Sequence, residues 1–306
     1  MANSTLGRGF TAGAAAVAIW GLVPVATRYF VLKLDPLTFN IIRFLITGLA
    51  AVPMMFVGKP WRWPGSDQIR LVLCAVLAVP GFNMPVAFAA RTISAGHLGL
   101  LIATEPILIV LFASWLLRRP INMQVLLGAV IAFVGVAITN LRHGLWIPAD
   151  VSDTLLVLIG AAAWSCYTVL AGSLARRHGP VGATGAILVL GSAALILASA
   201  SALHSGLFPD AQTTIAVGAL GLVSSLFGFL LWTHATASVP PDRLGLLLYA
   251  LPLVSVLGGA ALLDERVGWP LMIGGSTILL GVGIGEGRLL RMGLLQGSAR
   301  TGKSQP

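Results

Sequence analysis

Apolar runs of about 20 residues, separated by short polar breaks, follow one another along the chain. Such a run is long enough for a helix rising 1.5 Å per residue to cross a hydrocarbon core. The runs do not alternate polar and apolar positions as barrel strands do. A helix also satisfies its own backbone polar groups in lipid. The pattern predicts ten transmembrane helices, over 10–31, 36–57, 69–90, 94–117, 122–140, 152–174, 181–203, 213–237, 241–263 and 268–285. The first run is too long for the apolar core of a signal peptide.

The apolar pattern is written twice. Residues 98–108 read LGLLIATEPIL and residues 244–254 read LGLLLYALPLV. Laid without a gap on 240–284, the segment 94–138 matches at 13 of 45 positions, Pro106 on Pro252 among them. Upstream, Trp20 and Pro36 recur as Trp164 and Pro180. A repeat of this length sets the architecture. With five spans in each copy, the second copy enters the membrane inverted. The expected fold is therefore an all-α membrane protein of two inverted-topology five-helix repeats, over 1–143 and 144–290, with a basic, disordered tail over 291–306. Substrate then binds between the copies near the midplane, as in other inverted-repeat carriers.

Composition agrees with lipid as the solvent. The chain is 57% hydrophobic and 9% charged, with a mean hydropathy of +0.93. Its net charge of +9 is dispersed singly or in pairs through loops, not gathered into the stripe that nucleic acid requires. With the N-terminus inside, thirteen Lys and Arg residues fall in inner loops and five in outer loops, leaving Arg43 within a span. The positive-inside rule thus predicts both termini on the cytoplasmic side of an inner membrane. Cys74 and Cys166 lie in spans of different halves and are expected to be free thiols.

Few polar residues fall at membrane depth. Glu105, immediately before Pro106, stands near the centre of the fourth span. It reads either as a substrate-amine ligand or proton carrier, or as a neutral or paired carboxyl that helps helices pack. Its repeat mate is Leu251. Helix rise places Glu105 about 16 Å and Arg43 about 10 Å from the outer ends of their spans, so an ion pair between them is within reach. Snorkelling to outer headgroups is the alternative for Arg43. Trp20 and Trp164, mid-span and repeat mates, read as cavity walls that stack on substrate or as packing at the seam. Trp61, Trp63, Trp146 and Trp269 suit an interfacial belt.

Tyr249 offers a hydroxyl on the helix that mirrors the Glu105 helix. Asn83 lies between Pro80 and Pro85, where missing backbone donors suit an irregular cavity-lining helix. Each is alternatively a satisfied core group. Pro106 and Pro252 read as bends or hinges. The glycine-rich stretches 128–135 and 274–285 read as close helix packing or a homodimer surface. His97 and His234 fall toward span ends.

The pieces AVAIWG, DPLTFNIIRF, SAGHLGLLIATEPILIVLFASWLL and GAVIAFVGVAI, followed by WSCYTVL, LGLLLYALPLVSVLGGAALLDERV and GGSTILLGVGI, resemble the EamA type of the drug/metabolite transporter superfamily in order and spacing. The resemblance covers nearly the whole chain. It implies a ten-helix carrier of small metabolites, usually an exporter, with an arginine at the position of Arg43. In one departure, Arg118-Arg119 replace the Gly-Glu pair that the family often carries at the end of the fourth span. The acid is kept only at Asp264-Glu265.

No HExxH, GxSxG, TVGYG or P-loop occurs, which argues against an intramembrane enzyme, a potassium-type channel and nucleotide drive. The reading is a cofactor-free, metal-free secondary transporter that exports small amphipathic metabolites, amino acids among them, by alternating access. Its partners are the substrate and membrane lipids. A lipid flippase, scramblase or scaffold is the alternative.

Overall fold

The computed structural model describes residues 2–93, 95–118, 120–139, 151–199, 209–251, 254 and 269–285, and these are helical with no strand among them. Six helical segments are long and apolar enough to span a membrane: Leu6–Val31, Pro36–Arg62, Gly65–Ala89, Val151–His178, Pro180–Ala198 and Ala211–Ser238. Three shorter apolar helices accompany them, Glu105–Leu117, Met123–Ile138 and Met272–Gly285. Pro252, Asp264, Glu265, Trp146 and the tail from 286 onward lie outside the described residues.

Three spans predicted as continuous are broken. The first consists of α1 (Ala2–Trp20) and α2 (Val23–Val31), the second is α3 (Pro36–Gly58), and the third is α4 (Gly65–Ala78) plus α5 (Pro80–Ala89). The fourth divides into α6 (Ala95–Ile102) and α7 (Glu105–Leu117). Each break stands just before a proline: Pro24, Pro80 and Pro106. Proline has no N–H, and its ring crowds the carbonyl four residues back, so the preceding turn opens.

The remaining helices are α8 (Met123–Thr139), α9 (Val151–His178) and α10 (Pro180–Ala198). Next comes α11 (Ala211–Leu220), continued by a π-helical stretch Gly221–Phe227 into α12 (Gly228–Ser238). Then follow α13 (Pro241–Gly245), a 3-10 turn Leu246–Tyr249, and α14 (Trp269–Gly285). Local chemistry fixes the ends. The Asp35 carboxylate accepts from the Leu37 N–H at 2.9 Å to start α3. Gly179, at φ +82°, turns α9 into α10 in a conformation that only glycine adopts cheaply.

Helices of the first half pack on helices of the second. α3 lies along α10, α8 along α14, α1 against α12, and α5 against α9. The first two pairs run antiparallel. A Cβ on Gly58 would lie 2.6 Å from the Gly182 Cα, whereas one on Gly48 would lie 2.8 Å from the Ser192 Cβ. In the other pair, a Cβ on Gly135 would lie 2.7 Å from the Gly274 carbonyl oxygen and one on Gly281 would lie 2.6 Å from the Gly128 carbonyl oxygen. Small residues let the backbones touch. Gly128, Gly135, Gly274 and Gly281, from the stretches read as close helix packing or a homodimer surface, thus make close packing within the chain.

The two ends of the bundle differ. At one, Arg28 donates to the carbonyls of Ala90 and Ile93, and the Thr92 hydroxyl lies 2.6 Å from Asp153. At the other, Arg177 donates to buried Asp67 at 2.8 Å, and His178 Nε2 lies 2.8 Å from its second oxygen. His178 stacks on Trp63 at 3.9 Å, and the Trp63 indole donates to the Gly58 carbonyl at 2.7 Å. Trp63 is therefore buried and hydrogen-bonded rather than part of an interfacial belt, while Trp61 and Trp269 are exposed. Cys74 and Cys166 are free thiols.

Candidate functional site

The broken helices leave a cavity at the seam. Its volume is about 90 Å³, enough for several waters or part of a small molecule. α2, α3, α5 and α6 contribute Val23, Pro24, Thr27, Phe39, Asn40, Arg43, Phe82, Asn83, Val86, Leu98 and Ile102. Trp20 and Glu105 sit at helix breaks, and the other half supplies Trp164, Phe229, Leu248 and Leu251. The first-half residues lie toward the bundle end of Arg28 and Ile93. Toward the Asp67 end, the interior is filled by apolar packing that includes Ala16, Ile109, Tyr167, Trp232, Val239 and Leu244.

Arg43 is 5% exposed. Its Nε donates to the Ser225 hydroxyl at 3.0 Å, Nη2 to the Ser224 hydroxyl at 3.0 Å and Nη1 to the Asn83 amide oxygen at 3.3 Å. Its carbon centre lies 5.2 Å from the Phe44 ring and 6.0 Å from the Phe39 ring. No ion pair joins it to Glu105, and its burial removes the snorkelling alternative. The pair expected from helix depth does not form because neutral acceptors across the seam hold the guanidinium. A charge at bilayer depth costs about 2.5–3.5 kcal/mol on insertion scales, and such hydrogen bonds offset part of that.

The π-helical stretch makes this possible. A widened turn offsets successive carbonyls and hydroxyls from their usual partners, a common device at functional sites. Gly221 and Gly228 bracket it. A Cβ on Gly221 would lie 2.6 Å from the Arg43 carbonyl, and one on Gly228 would lie 3.0 Å from Trp20 Cε2. The Trp20 indole donates to the Ser224 carbonyl at 2.8 Å. Composition did not mark Ser224, Ser225 or Asn40. The available signal was the paired serines inside the glycine-bracketed apolar segment GLVSSLFG.

Glu105 opens α7 and is 2% exposed. A carboxylate in the first helical turn is favoured by the exposed N–H groups of the helix start. Its Oε1 has no hydrogen-bond partner. Its backbone carbonyl accepts from the Ser165 hydroxyl at 3.1 Å, which ties α7 to α9. Pro106, the second residue of α7, supplies the break that brings Glu105 to the cavity.

Trp20 and Trp164 both line the cavity and also meet each other, edge to face, with ring centroids 5.1 Å apart. Phe229 and Phe82 extend the cluster. Asn83 is fully occupied: its amide nitrogen donates to the carbonyls of Ala78 and Val79, both at 3.0 Å, and its oxygen receives Arg43. Its contact with the cavity is shared with that bracing role.

Tyr249 does not join the site. It is fully buried beside Ala103, Ala129 and Ile278, outside the cavity lining. The 3-10 turn at Leu246–Tyr249 advances about 120° per residue. It sends Leu248 to the cavity and its neighbour Tyr249 away. Among the described residues, no group of three or more His, Cys, Asp or Glu is placed to hold a metal ion.

The model of the EamA-like transporter family matches residues 7–141 and 152–284. An uncharacterized transporter of Archaeoglobus fulgidus is 27% identical over 87% of this chain and 94% of its own. A probable amino-acid metabolite efflux pump of Escherichia coli is 22% identical over 87% of this chain and 90% of its own. A crystal structure with 20% identity superposes with a TM-score of 0.75, covering 90% of this chain and 95% of that one.

Proposed function

The chain belongs to the EamA-like transporter family, and on that footing we propose that it is a secondary carrier exporting small amphipathic metabolites, amino acids among them, by alternating access. It is a membrane transporter and not an enzyme. We place it in a bacterial inner membrane with both termini cytoplasmic, as ten spans in two inverted five-helix repeats.

The observation that carries this reading is the cavity itself. It sits at the seam, both halves line it, and it holds one acid and one cation, with Thr27, Asn40 and Asn83, in walls that are mostly aromatic and aliphatic. The family match falls on two stretches of similar length. Repeat mates α3 and α10, and α8 and α14, pack antiparallel, which supports a two-fold axis in the membrane plane. An axis along the membrane normal would relate parallel helices. In this reading the Arg28 end is the outer one, where the loop charges are fewest, and the present conformation holds its cavity toward that side. The name of the Escherichia coli relative supports amino-acid metabolites as the cargo class.

The test is counterflow in proteoliposomes. Labelled amino acids and other amphipathic metabolites are offered to vesicles preloaded with the same compound, with and without a pH gradient. Accumulation that depends on the preload supports the carrier. A response to the gradient supports proton exchange. Movement of labelled lipid with no counterflow of any solute would favour the flippase reading.

A further inference from the structure

We propose that Arg43 and Glu105 are the two charged poles of the substrate site, and that together they select a zwitterion: a free α-amino acid with an apolar or aromatic side chain. The substrate carboxylate is received by Arg43 and its ammonium by Glu105. This proposal rests on the carrier reading above.

Three observations meet here. Glu105 is 2% exposed, lines the cavity, and has an oxygen that accepts no hydrogen bond. Buried polar atoms are normally satisfied, so an orphaned carboxylate oxygen at a cavity wall marks a place where a donor belongs. Arg43 is also buried in the cavity wall. It spends one donor each from Nε, Nη1 and Nη2 on neutral acceptors. A guanidinium carries five N–H donors, so two remain, one on each terminal nitrogen. Among the described residues, no carboxylate pairs with it.

The third observation is that an acid and a guanidinium share one cavity without forming an ion pair. In a low-dielectric chamber, charges brought against these two groups by a ligand are paired strongly. An α-amino acid carries the complementary pair of charges on adjacent atoms. The two free terminal N–H groups of Arg43 suit the two oxygens of a carboxylate. An ammonium supplies the donors that Glu105 lacks. The rest of the wall, including Trp20, Phe82, Trp164, Phe229 and Leu248, suits an apolar side chain. Asn83 serves as a positioning residue, because its amide holds Arg43 and has no free donor.

A ligand with only one of the two charges leaves the other pole unpaired. That loss corresponds to a discrimination of about tenfold to a hundredfold. Counterflow is therefore measured for phenylalanine, phenethylamine and 3-phenylpropionate, and for leucine with its matching amine and acid, in the wild type and in Glu105→Gln. The wild type should carry the amino acids at least about tenfold faster than the amines or acids. In Glu105→Gln the rate for the amino acid should fall about tenfold, and the ratio of acid to amino acid should rise by a similar factor.

Equal transport of all three chemical classes, with a ratio unchanged by Glu105→Gln, overturns the zwitterion proposal and leaves the carrier reading intact. If none of these compounds moves, the zwitterion proposal falls, and counterflow of the other amphipathic metabolites decides the carrier reading separately. Binding to the wild type alone, followed by quenching of the cavity tryptophans, provides a second reading should the variant fail to fold. Equal affinities for the three classes there also overturn the proposal.

Discussion

The Trp20 indole donates to the backbone carbonyl of Ser224 at 2.8 Å, across the seam between the two halves. The same π-helical turn receives Arg43 through the hydroxyls of Ser224 and Ser225. One widened turn therefore fixes both an aromatic wall and a buried cation of the cavity.

Replacing Trp20 separates its two contributions. Trp20→Phe keeps much of the ring packing and loses the hydrogen bond, which should cost about 1 kcal/mol. Trp20→Ala also removes the edge-to-face contact with Trp164 and should cost about 2–3 kcal/mol, less than a fully buried tryptophan because the ring is only partly covered. Thermal unfolding of the purified variants in detergent checks the order. If Ala is no worse than Phe, the ring does not brace the seam.

The contact of Gly58 with Gly182 leaves no room for a side chain. Gly58→Ala would put a methyl 2.6 Å from the opposing Cα. Backbone cannot swing aside as a side chain does, so α3 and α10 must separate, at a cost of about 1–3 kcal/mol. Gly7→Ala, in α1 with nothing within 4 Å of the new methyl, should be neutral or slightly stabilising. Melting temperatures of the two variants should move in opposite directions or differ clearly in size.

Asp67 links α4 to the C-terminal end of α9. It is almost wholly covered while Arg177 is largely exposed, at 59%. Solvent screening reduces the value of the Arg177 contact, but removing the acid also releases His178 and its stack on Trp63. Asp67→Ala should therefore cost on the order of 1–2 kcal/mol, more than Arg177→Ala. Comparable losses for both would place the stability in the Arg177 pair alone.

The start of α11 should respond to acid. Asp210 accepts from the Thr213 backbone N–H at 2.9 Å and from its hydroxyl at 2.7 Å, and these bonds hold its carboxyl below the usual range. A lowered folded-state value means the stabilisation is present above the unfolded carboxyl pKa and is lost as pH falls through the folded one. Protection of the Thr213 amide and its neighbours against hydrogen exchange, taken relative to the intrinsic rate at each pH, should thus fall on acidification in the wild type. In Asp210→Ala the protection should be low at every pH.

Much of the architecture was legible along the chain. Lipid admits only segments that close their own hydrogen bonds, so the apolar runs announced helices directly. The duplication around Pro106 and Pro252, and around Trp20 and Trp164, is likewise visible in the sequence alone. Glu105 and Arg43 stood out because charge inside such a run is costly. All of these are properties of a local stretch or of two stretches compared.

Contacts across the seam were not legible. Helix depth allowed Arg43 to meet Glu105, but depth says nothing of rotation about the helix axis or of which hydroxyls lie opposite. Folding gave Arg43 to Ser224, Ser225 and Asn83 and left Glu105 Oε1 without a partner. Tyr249 looked equivalent to its neighbours until a 3-10 turn rotated it out of the cavity. Periodicity and hydropathy thus set the helices and their duplication. Which side chains converge on one chamber depended on proline breaks, a π turn and glycine contacts, whose consequences exist only once distant segments pack.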